Sequence, residues 1–441
     1  MRLERVCCIL LLTALAGTAF AAPHPAAPLP RATPGSVGMS ASRLRYMNQF
    51  FKIQSDRHQA AGYVLMVARD GKLVDESAVG YRDIGRHVPM TLNTRFRIAS
   101  MTKPITTVAV LMLYEEGYFQ LDDPVSKFLP EFAHPRVFVG FDSAGKPITK
   151  PALQPITIRD LLTQTSGLGY IAGFDTSSPL AKIWGALQLD PHASLAVNVR
   201  RIASMPLYFQ PGQGWRYSYA DDVLGRLVEV VSGMPFGQFL RQKIFEPLKM
   251  DSTGFAVSPA AAPLVATMYQ MDKNGGLDVS HSPWLNQPTD TKVWQSGGGG
   301  LISTAGDYLR FAQMLANGGS LDGHQYLSPV TVYLMTHNQV PPKAMFDYWG
   351  PDSRGLGYGL GVGVEIDAAH APQADMSGDY AWGGIFDTHW IVSPRTGCVA
   401  VLLTQMFPNP KLPARPTEAE FQNLLFAAVK TLHPPAVAVR R

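Results

Sequence analysis

The chain has 441 residues, of which 46% are hydrophobic and only 16% charged, with a formal net charge of +4 and three cysteines. That length and apolar content exclude a disordered protein and support a large core, while the small charge and the lack of a basic run give no electrostatic ground for nucleic acid or an anionic membrane as partner. Only Cys398 lies beyond the first eight residues, so an internal disulfide in a processed chain is excluded and a cysteine-based metal site or thiol nucleophile has little to build on.

Residues 1–22 carry Arg2 and Arg5, an apolar run over 6–15 and the triplet Ala19-Phe20-Ala21. This is the pattern of a secretory signal peptide cleaved near Ala21, so a periplasmic or secreted protein is expected. The run is too short to span a bilayer, and no other stretch approaches about 20 apolar residues, so no membrane span is expected. Residues 23–35, rich in proline and alanine, are expected to form a flexible leader, with order from residue 36. Ser40 is placed to cap a helix over 40–51 with Leu44, Met47 and Phe51 on one face. Strands over 61–68 and 73–79 follow, joined by the hairpin signal Asp70-Gly71.

The segment Arg97-Ile98-Ala99-Ser100-Met101-Thr102-Lys103 then leads into an apolar run with Ile105, Val108, Leu111 and Met112 at helical spacing. Ser100 therefore sits near a helix N-terminus, and Lys103, three residues on, shares its face. Pro104 fits a first turn, which does not need its N–H. A serine hydroxyl becomes a nucleophile when a base takes its proton, and a lysine kept partly neutral by burial or nearby positive charge is such a base. The competing reading is a helix-capping serine with a solvated lysine. A second copy of the spacing, Ser143 to Lys146, lies among Gly140, Asp142, Gly145 and Pro147 and reads as a loop tip.

Residues 118–135 are short apolar pieces broken by prolines and look like a crossing into another region. A small hairpin is expected over 137–153 and a short helix over 158–162, ending at Thr165-Ser166-Gly167. Helices separated by long loops extend to about residue 290, the clearest over 221–232 and 236–245. Further helices are expected over 301–315, with Ser303 and Thr304 at the start, and over 330–336. Strands return over 360–366, 388–392 and 399–404, and an amphipathic helix over 417–432 closes the chain. Strands from both ends around a helical insertion imply a single α+β domain over 36–435. Its α/β part comprises 36–117 and 295–435, and its mainly helical part 118–294. Tyr217, on the Gly- and Pro-rich loop 211–219, is the candidate proton relay, a phenolate being accessible only with cations such as Lys103 close by; the alternative is a packing aromatic.

Ser100-Met101-Thr102-Lys103, the Tyr217 loop, the run from Gly297 to Tyr308 and the stretch Leu327-Ser328-Pro329 through Thr336 together resemble the class C β-lactamase-related serine hydrolases, with the nearest likeness to family VIII carboxylesterases. The resemblance is collinear over residues 35–432. It implies a β-lactamase/transpeptidase-like fold, an antiparallel sheet flanked by helices plus an all-helical subdomain, with the cleft between them. Gln164, in Leu161-Leu162-Thr163-Gln164-Thr165-Ser166-Gly167-Leu168, stands where these proteins usually have histidine, and the resemblance implies a place for it among the substrate-binding residues. Tyr219 replaces the asparagine of the β-lactamase Tyr-x-Asn motif, which counts against lactam recognition. For the third motif, Arg395-Thr396-Gly397 reads as a turn, and Trp382-Gly383-Gly384 resembles the esterase form. By that alignment the Ile385 N–H joins that of Ser100 as the oxyanion hole. The resemblance implies an acyl-enzyme hydrolase of short-chain esters, with no metal or organic cofactor, acting on a small ester or lactam substrate. β-Lactamase or D-amino acid peptidase activity is the enzymatic alternative, and a penicillin- or peptidoglycan-binding protein without turnover the alternative of another class. Asp387-Thr388-His389 offers a fragment of a different triad, but a lone strand histidine is more often packed.

Overall fold

The computed structural model describes residues 28–170, 178–282, 285–344, 353–370, 376–409 and 415–433; the expected signal segment 1–22 lies outside them. The expected leader is corrected in its second half. Leu29 is buried in the main core, Arg31 bridges to Leu73, and the Pro30 carbonyl accepts the Leu73 N–H at 2.8 Å. Proline loses its donor but keeps its acceptor, so a proline-rich segment can lie along a strand once an apolar side chain anchors it. Order is already present at residue 28.

Ser40 caps α1 (Ala41–Asp56), whose Leu44, Met47 and Phe51 are buried as the spacing predicts. β1 (Gly62–Arg69) and β2 (Lys72–Asp83) are joined by Asp70 and Gly71 at φ 53° and 74°, the left-handed pair that a two-residue hairpin needs. β3 (Val88–Pro89) and β4 (Phe96–Arg97) precede α2 (Thr102–Glu115). The hairpin β5 (Arg136–Phe141) and β6 (Pro147–Pro151) holds the second Ser-x-x-Lys at its exposed tip. The α-helices that follow among the described residues are α3 (Ile158–Leu162), α4 (Ala181–Gly185), α5 (Leu195–Ala203), α6 (Ala220–Ser232), α7 (Phe236–Leu240) and α8 (Glu246–Leu248). Like the β5–β6 hairpin, the strands β7 (Tyr269–Met271) and β8 (Leu277–Val279) lie within the mainly helical middle.

β9 (Ile302–Ser303) pairs with β4, and α9 (Ala305–Ala316) therefore starts four residues later than the pattern suggests. Thr304 is its cap, accepting the Asp307 N–H, and residues 301–303 are spent on strand pairing. β10 (Ser320–Leu321), β11 (His324–Gln325) and α10 (Pro329–Met335) follow. The single strand expected over 360–366 is instead part of a hairpin of β12 (Leu356–Tyr358) and β13 (Gly363–Glu365), turned by Gly361 at φ 71°. β14 (Tyr380–Ala381), β15 (Thr388–Ser393), β16 (Cys398–Leu403) and β17 (Met406–Phe407) lead to α11 (Thr417–Ala427). α11 ends five residues before the predicted limit, where Val429 bridges to Met39.

Strands from the two ends of the chain meet in one antiparallel sheet of order β12-β13-β14-β15-β16-β1-β2-β3. The junction is β1 on β16, with Val64 opposite Leu403 and Arg69 opposite Cys398. All eight residues of β1 are buried, because both faces are covered. Tyr63, Leu65 and Val67 pack with α1 and α11, whereas Val64, Met66 and Ala68 join the core containing α2 and α9. Cys398 is a buried core residue of the first of these faces. α6 packs on α2 in turn, with α3, α5 and α7 around α6, so α2 lies between the sheet layer and the helical region.

Candidate functional site

Ser100 lies in the tight turn Ala99–Met101 that opens α2. Ala99 sits at φ +44°, a left-handed backbone that costs an alanine energy and is tolerated where the surroundings dictate it. Those surroundings are visible. The Ile98 N–H donates to the Leu301 carbonyl at 3.0 Å, the Leu301 N–H to Thr102 Oγ1 at 3.2 Å, and Tyr308 OH to the Met101 carbonyl at 2.8 Å.

Lys103 is 0% exposed, which removes the alternative of a solvated lysine. Its Nζ donates to the Gly298 carbonyl at 2.6 Å and to Ser100 Oγ at 3.4 Å. Tyr217 OH donates to the same Oγ at 2.6 Å, and Lys103 Nζ stands 4.5 Å from the centre of the Tyr217 ring. The three sequence-predicted residues therefore meet on one oxygen. Burial pushes the Tyr217 phenol well above its ordinary value; hydrogen bonds with Ser100 and Trp382 oppose this, and Asp221 and Asp222 add to it. At neutral pH the phenol keeps its proton and donates it, and no resting phenolate forms despite the cation beside the ring.

The loop holding Tyr217 is pinned through Gln164. The Gln164 carbonyl accepts the Arg216 N–H at 2.9 Å, its Oε1 accepts Ser218 Oγ at 2.7 Å, and its Nε2 donates to Asp221 Oδ2 at 2.8 Å. Gln164 is 1% exposed and thus supports the tyrosine loop from behind, a correction to its expected place in the substrate wall. Trp382, with its ring centre 5.7 Å from that of Tyr217, likewise backs the phenol. Gly384 faces the nucleophile turn: a Cβ there would lie 2.4 Å from the Ile98 carbonyl oxygen and 2.3 Å from Thr388 Oγ1. Beside it, Gly383 lies under the imidazole of His389.

Ser100 and Ile385 open on a cavity of about 560 Å³. Tyr170, Tyr219, Phe255 and Trp294 line it, together with the side of Arg97, whose Nη2 donates to the Asn286 carbonyl at 2.9 Å. Tyr219 packs against Tyr170 at 4.5 Å between ring centres, and burial pushes its phenol up. Position 219 thus presents a phenol in place of a side-chain amide, although Gln188, Asn286 and Gln287 are also among the lining residues.

Sequence reasoning missed the acids beneath Lys103. Asp222 Oδ1 accepts Ser296 Oγ at 2.6 Å and the Gly298 N–H at 3.4 Å, so it braces the residue whose carbonyl receives Lys103. Burial pushes the Asp221 carboxyl up to about 7; Lys103 opposes this and Asp222 reinforces it. The signal was present as two acids in the first turn of a helix, but there they read as macrodipole partners. Asp221 has a testable consequence. Its folded pKa exceeds the unfolded value of about 3.9, so between those limits the native state holds a proton that the unfolded chain releases, and stability falls as pH rises through this window. Asp221→Asn cannot ionise, so its melting temperature should fall less than that of the wild type between about pH 5 and about pH 8; parallel curves would show that Asp221 titrates normally.

Comparison with known proteins places this geometry in context. The profile of the Beta-lactamase family matches residues 47–424. Protein Rv1367c of Mycobacterium tuberculosis is 37% identical over 388 residues, covering 86% of this chain and 93% of that one. Esterase EstB of Burkholderia gladioli is 33% identical over 364 residues, covering 78% and 85%. The solved structure of EstCE1, described as a hydrolase with promiscuous acyltransferase activity, superposes with a TM-score of 0.72 at 26% identity and covers 87% of this chain and 99% of that one.

Proposed function

This chain belongs to the beta-lactamase family, and from that premise we propose that it is a carboxylesterase of short-chain esters in which Ser100 is the nucleophile and Lys103 and Tyr217 move its proton. It is a serine ester hydrolase working through an acyl-enzyme, as its esterase relatives support. The observation that carries the residue roles is the convergence of Lys103 Nζ and Tyr217 OH on Ser100 Oγ. The reactive form of the pair carries one proton fewer, Lys103 being the unprotonated amine, and it takes the Oγ proton as Oγ bonds to the ester carbonyl carbon. The tetrahedral oxyanion is received by the N–H groups of Ser100 and Ile385. When the C–O bond to the alcohol breaks, the pair returns the proton to the leaving oxygen. Water then repeats the sequence on the acyl-enzyme, losing its proton to the pair while Ser100 Oγ regains one.

Two features favour an ester over a lactam. Tyr219 occupies the position of the amide that the resemblance assigns to lactam recognition, and the cavity wall beside it is aromatic. Export is part of the same reading, supported by Arg2, Arg5, the apolar run and Ala19-Phe20-Ala21. No helix among the described residues is long and apolar enough to cross a membrane.

Mass spectrometry of the purified protein after brief exposure to p-nitrophenyl butyrate tests the assignment. The expected result is an acyl mass on the peptide containing Ser100 that decays as product is released, on a chain whose N-terminus begins near residue 22. A stable cephalosporin adduct without ester turnover would instead mark a lactam-trapping binder.

A further inference from the structure

The pairing of Asp387 with His389 is real, but its geometry is not that of a triad. His389 Nε2 lies 2.8 Å from Asp387 Oδ1. Along β15, however, Thr388 and Trp390 face the layer containing α2 and α9: Thr388 Oγ1 donates to the Ile98 carbonyl at 3.3 Å, and Trp390 packs at 5.6 Å on Tyr308. Alternation sends His389 to the other face, where its Nδ1 stands 3.8 Å from Glu418 of α11. The imidazole points away from the layer that holds Ser100.

What the pair does surround is the turn from Gly384 to Thr388, which carries the Ile385 N–H. The Gly384 N–H donates to the Thr388 carbonyl at 2.7 Å and the Asp387 N–H to the Gly384 carbonyl at 2.9 Å. Asp387 closes the turn at φ +64°, a left-handed conformation that Asp and Asn tolerate better than other side chains. The turn is held on three sides. Gly384 is pressed against the Ile98 carbonyl, two residues before the nucleophile. The Phe386 carbonyl accepts the Met406 N–H at 3.0 Å. On the third side the Asp387 carboxylate receives Arg415 Nη1 at 2.8 Å and Thr417 Oγ1 at 3.0 Å on Oδ2, opposite His389 on Oδ1. Arg415 is itself fixed by Nη2 donating to Tyr63 OH at 2.6 Å. Burial alone would raise the Asp387 carboxyl, yet these donors hold it below the ordinary carboxylate range, so the group on the turn is an ion.

We propose that Asp387 is a positioning residue: anchored by Arg415, Thr417 and His389, it fixes the Gly384–Thr388 turn so that the Ile385 N–H meets the oxyanion as it forms. This rests on the assignment of Ile385 to the oxyanion hole. An N–H aimed at developing charge interacts more strongly with the transition state than with bound ester, so its misplacement lowers kcat more than it raises KM. His389 acts here as an N–H donor and exchanges no proton with substrate, so a glutamine, which can present an N–H from a similar distance, replaces it.

The test measures p-nitrophenyl butyrate kinetics together with amide hydrogen exchange of the 383–389 peptide in the full chain. Asp387→Asn keeps size and left-handed tolerance but removes the charge. It should lower kcat about 10- to 100-fold, hold KM within about 3-fold and speed exchange of the turn, against the ~100- to 1000-fold known for deleting an oxyanion donor outright. His389→Gln should stay within about 3-fold of wild type in kcat. Unchanged kcat with unchanged exchange would overturn the clamp itself. Faster exchange with unchanged kcat would overturn the proposal by showing that Ile385 is not an oxyanion donor. A raised KM at constant kcat, or a loss of about 1000-fold in His389→Gln, would also overturn it, the last by marking a proton-transfer role. Should Asp387→Asn not fold, Thr417→Val removes one donor and leaves the ion paired. It should lower kcat about 3- to 10-fold with faster exchange of the turn, and no change in either would count against the clamp.

Discussion

Alanine at position 100 is expected to lower kcat/KM for p-nitrophenyl butyrate by at least about 1000-fold, with the acyl mass lost from the peptide that carried it, while the protein stays folded. The chemical and structural effects differ greatly in size. Oγ is the bond-forming atom and the meeting point of Lys103 and Tyr217, so no neighbouring oxygen takes its place. The structural loss is one hydroxyl at the cavity wall and the acceptor of the Tyr217 hydrogen bond, about 1 kcal/mol on the usual scale. A melt should therefore show a modest shift and kinetics a near-complete loss. A folded Ser100→Ala protein that keeps a tenth of its turnover would move the nucleophile elsewhere.

What the sequence made legible was what depends on short separations. Ser100 and Lys103 are three residues apart, and helical geometry alone brings them to one face; β1 and β2 are fixed by alternation and by Asp70-Gly71. The helices α1, α3, α6 and α10 announce themselves through periodicity and caps. Joining of the termini in one sheet followed from strand patterns at both ends, although only the structure shows that β1 meets β16.

The rest depended on contacts between distant segments. Asp221 and Asp222 look like ordinary first-turn acids until Gly298 and Lys103 arrive from other parts of the chain. Gln164 looked like a substrate contact because its motif usually carries a titratable group, but its side chain is committed to Ser218 and Asp221. Leu29 and Pro30 sit in a composition typical of linkers, and one buried leucine with one strand-edge acceptor was enough to order them. Residues 301–303 fit a helical pattern, but a strand partner at Phe96–Arg97 took them. In each case a local preference was weak and a tertiary partner decided the outcome.

Replacing Lys103 by methionine is the second large effect, and it separates positioning from proton transfer. Methionine nearly matches the lysine stem in length and suits a site with 0% exposure, so packing is largely kept. Two things are lost. The Gly298 carbonyl loses its 2.6 Å donor, which costs about 1–3 kcal/mol for a buried acceptor left alone. The charge that opposes the rise of both Asp221 and Asp222 also disappears, so burial lifts their carboxyls further. Neither loss removes Ser100 or Tyr217. If Lys103 takes part in moving the Oγ proton, kcat should still fall at least about 1000-fold in protein shown to be folded, close to 4 kcal/mol of transition-state stabilisation and more than the cost of the carbonyl. Lys103→Arg should not rescue it: the planar guanidinium cannot occupy the space between the Tyr217 ring and Gly298, and it cannot give up a proton. A folded Lys103→Met enzyme with a tenth of wild-type kcat would leave Tyr217 as the proton carrier and reduce Lys103 to a structural cation between two buried acids.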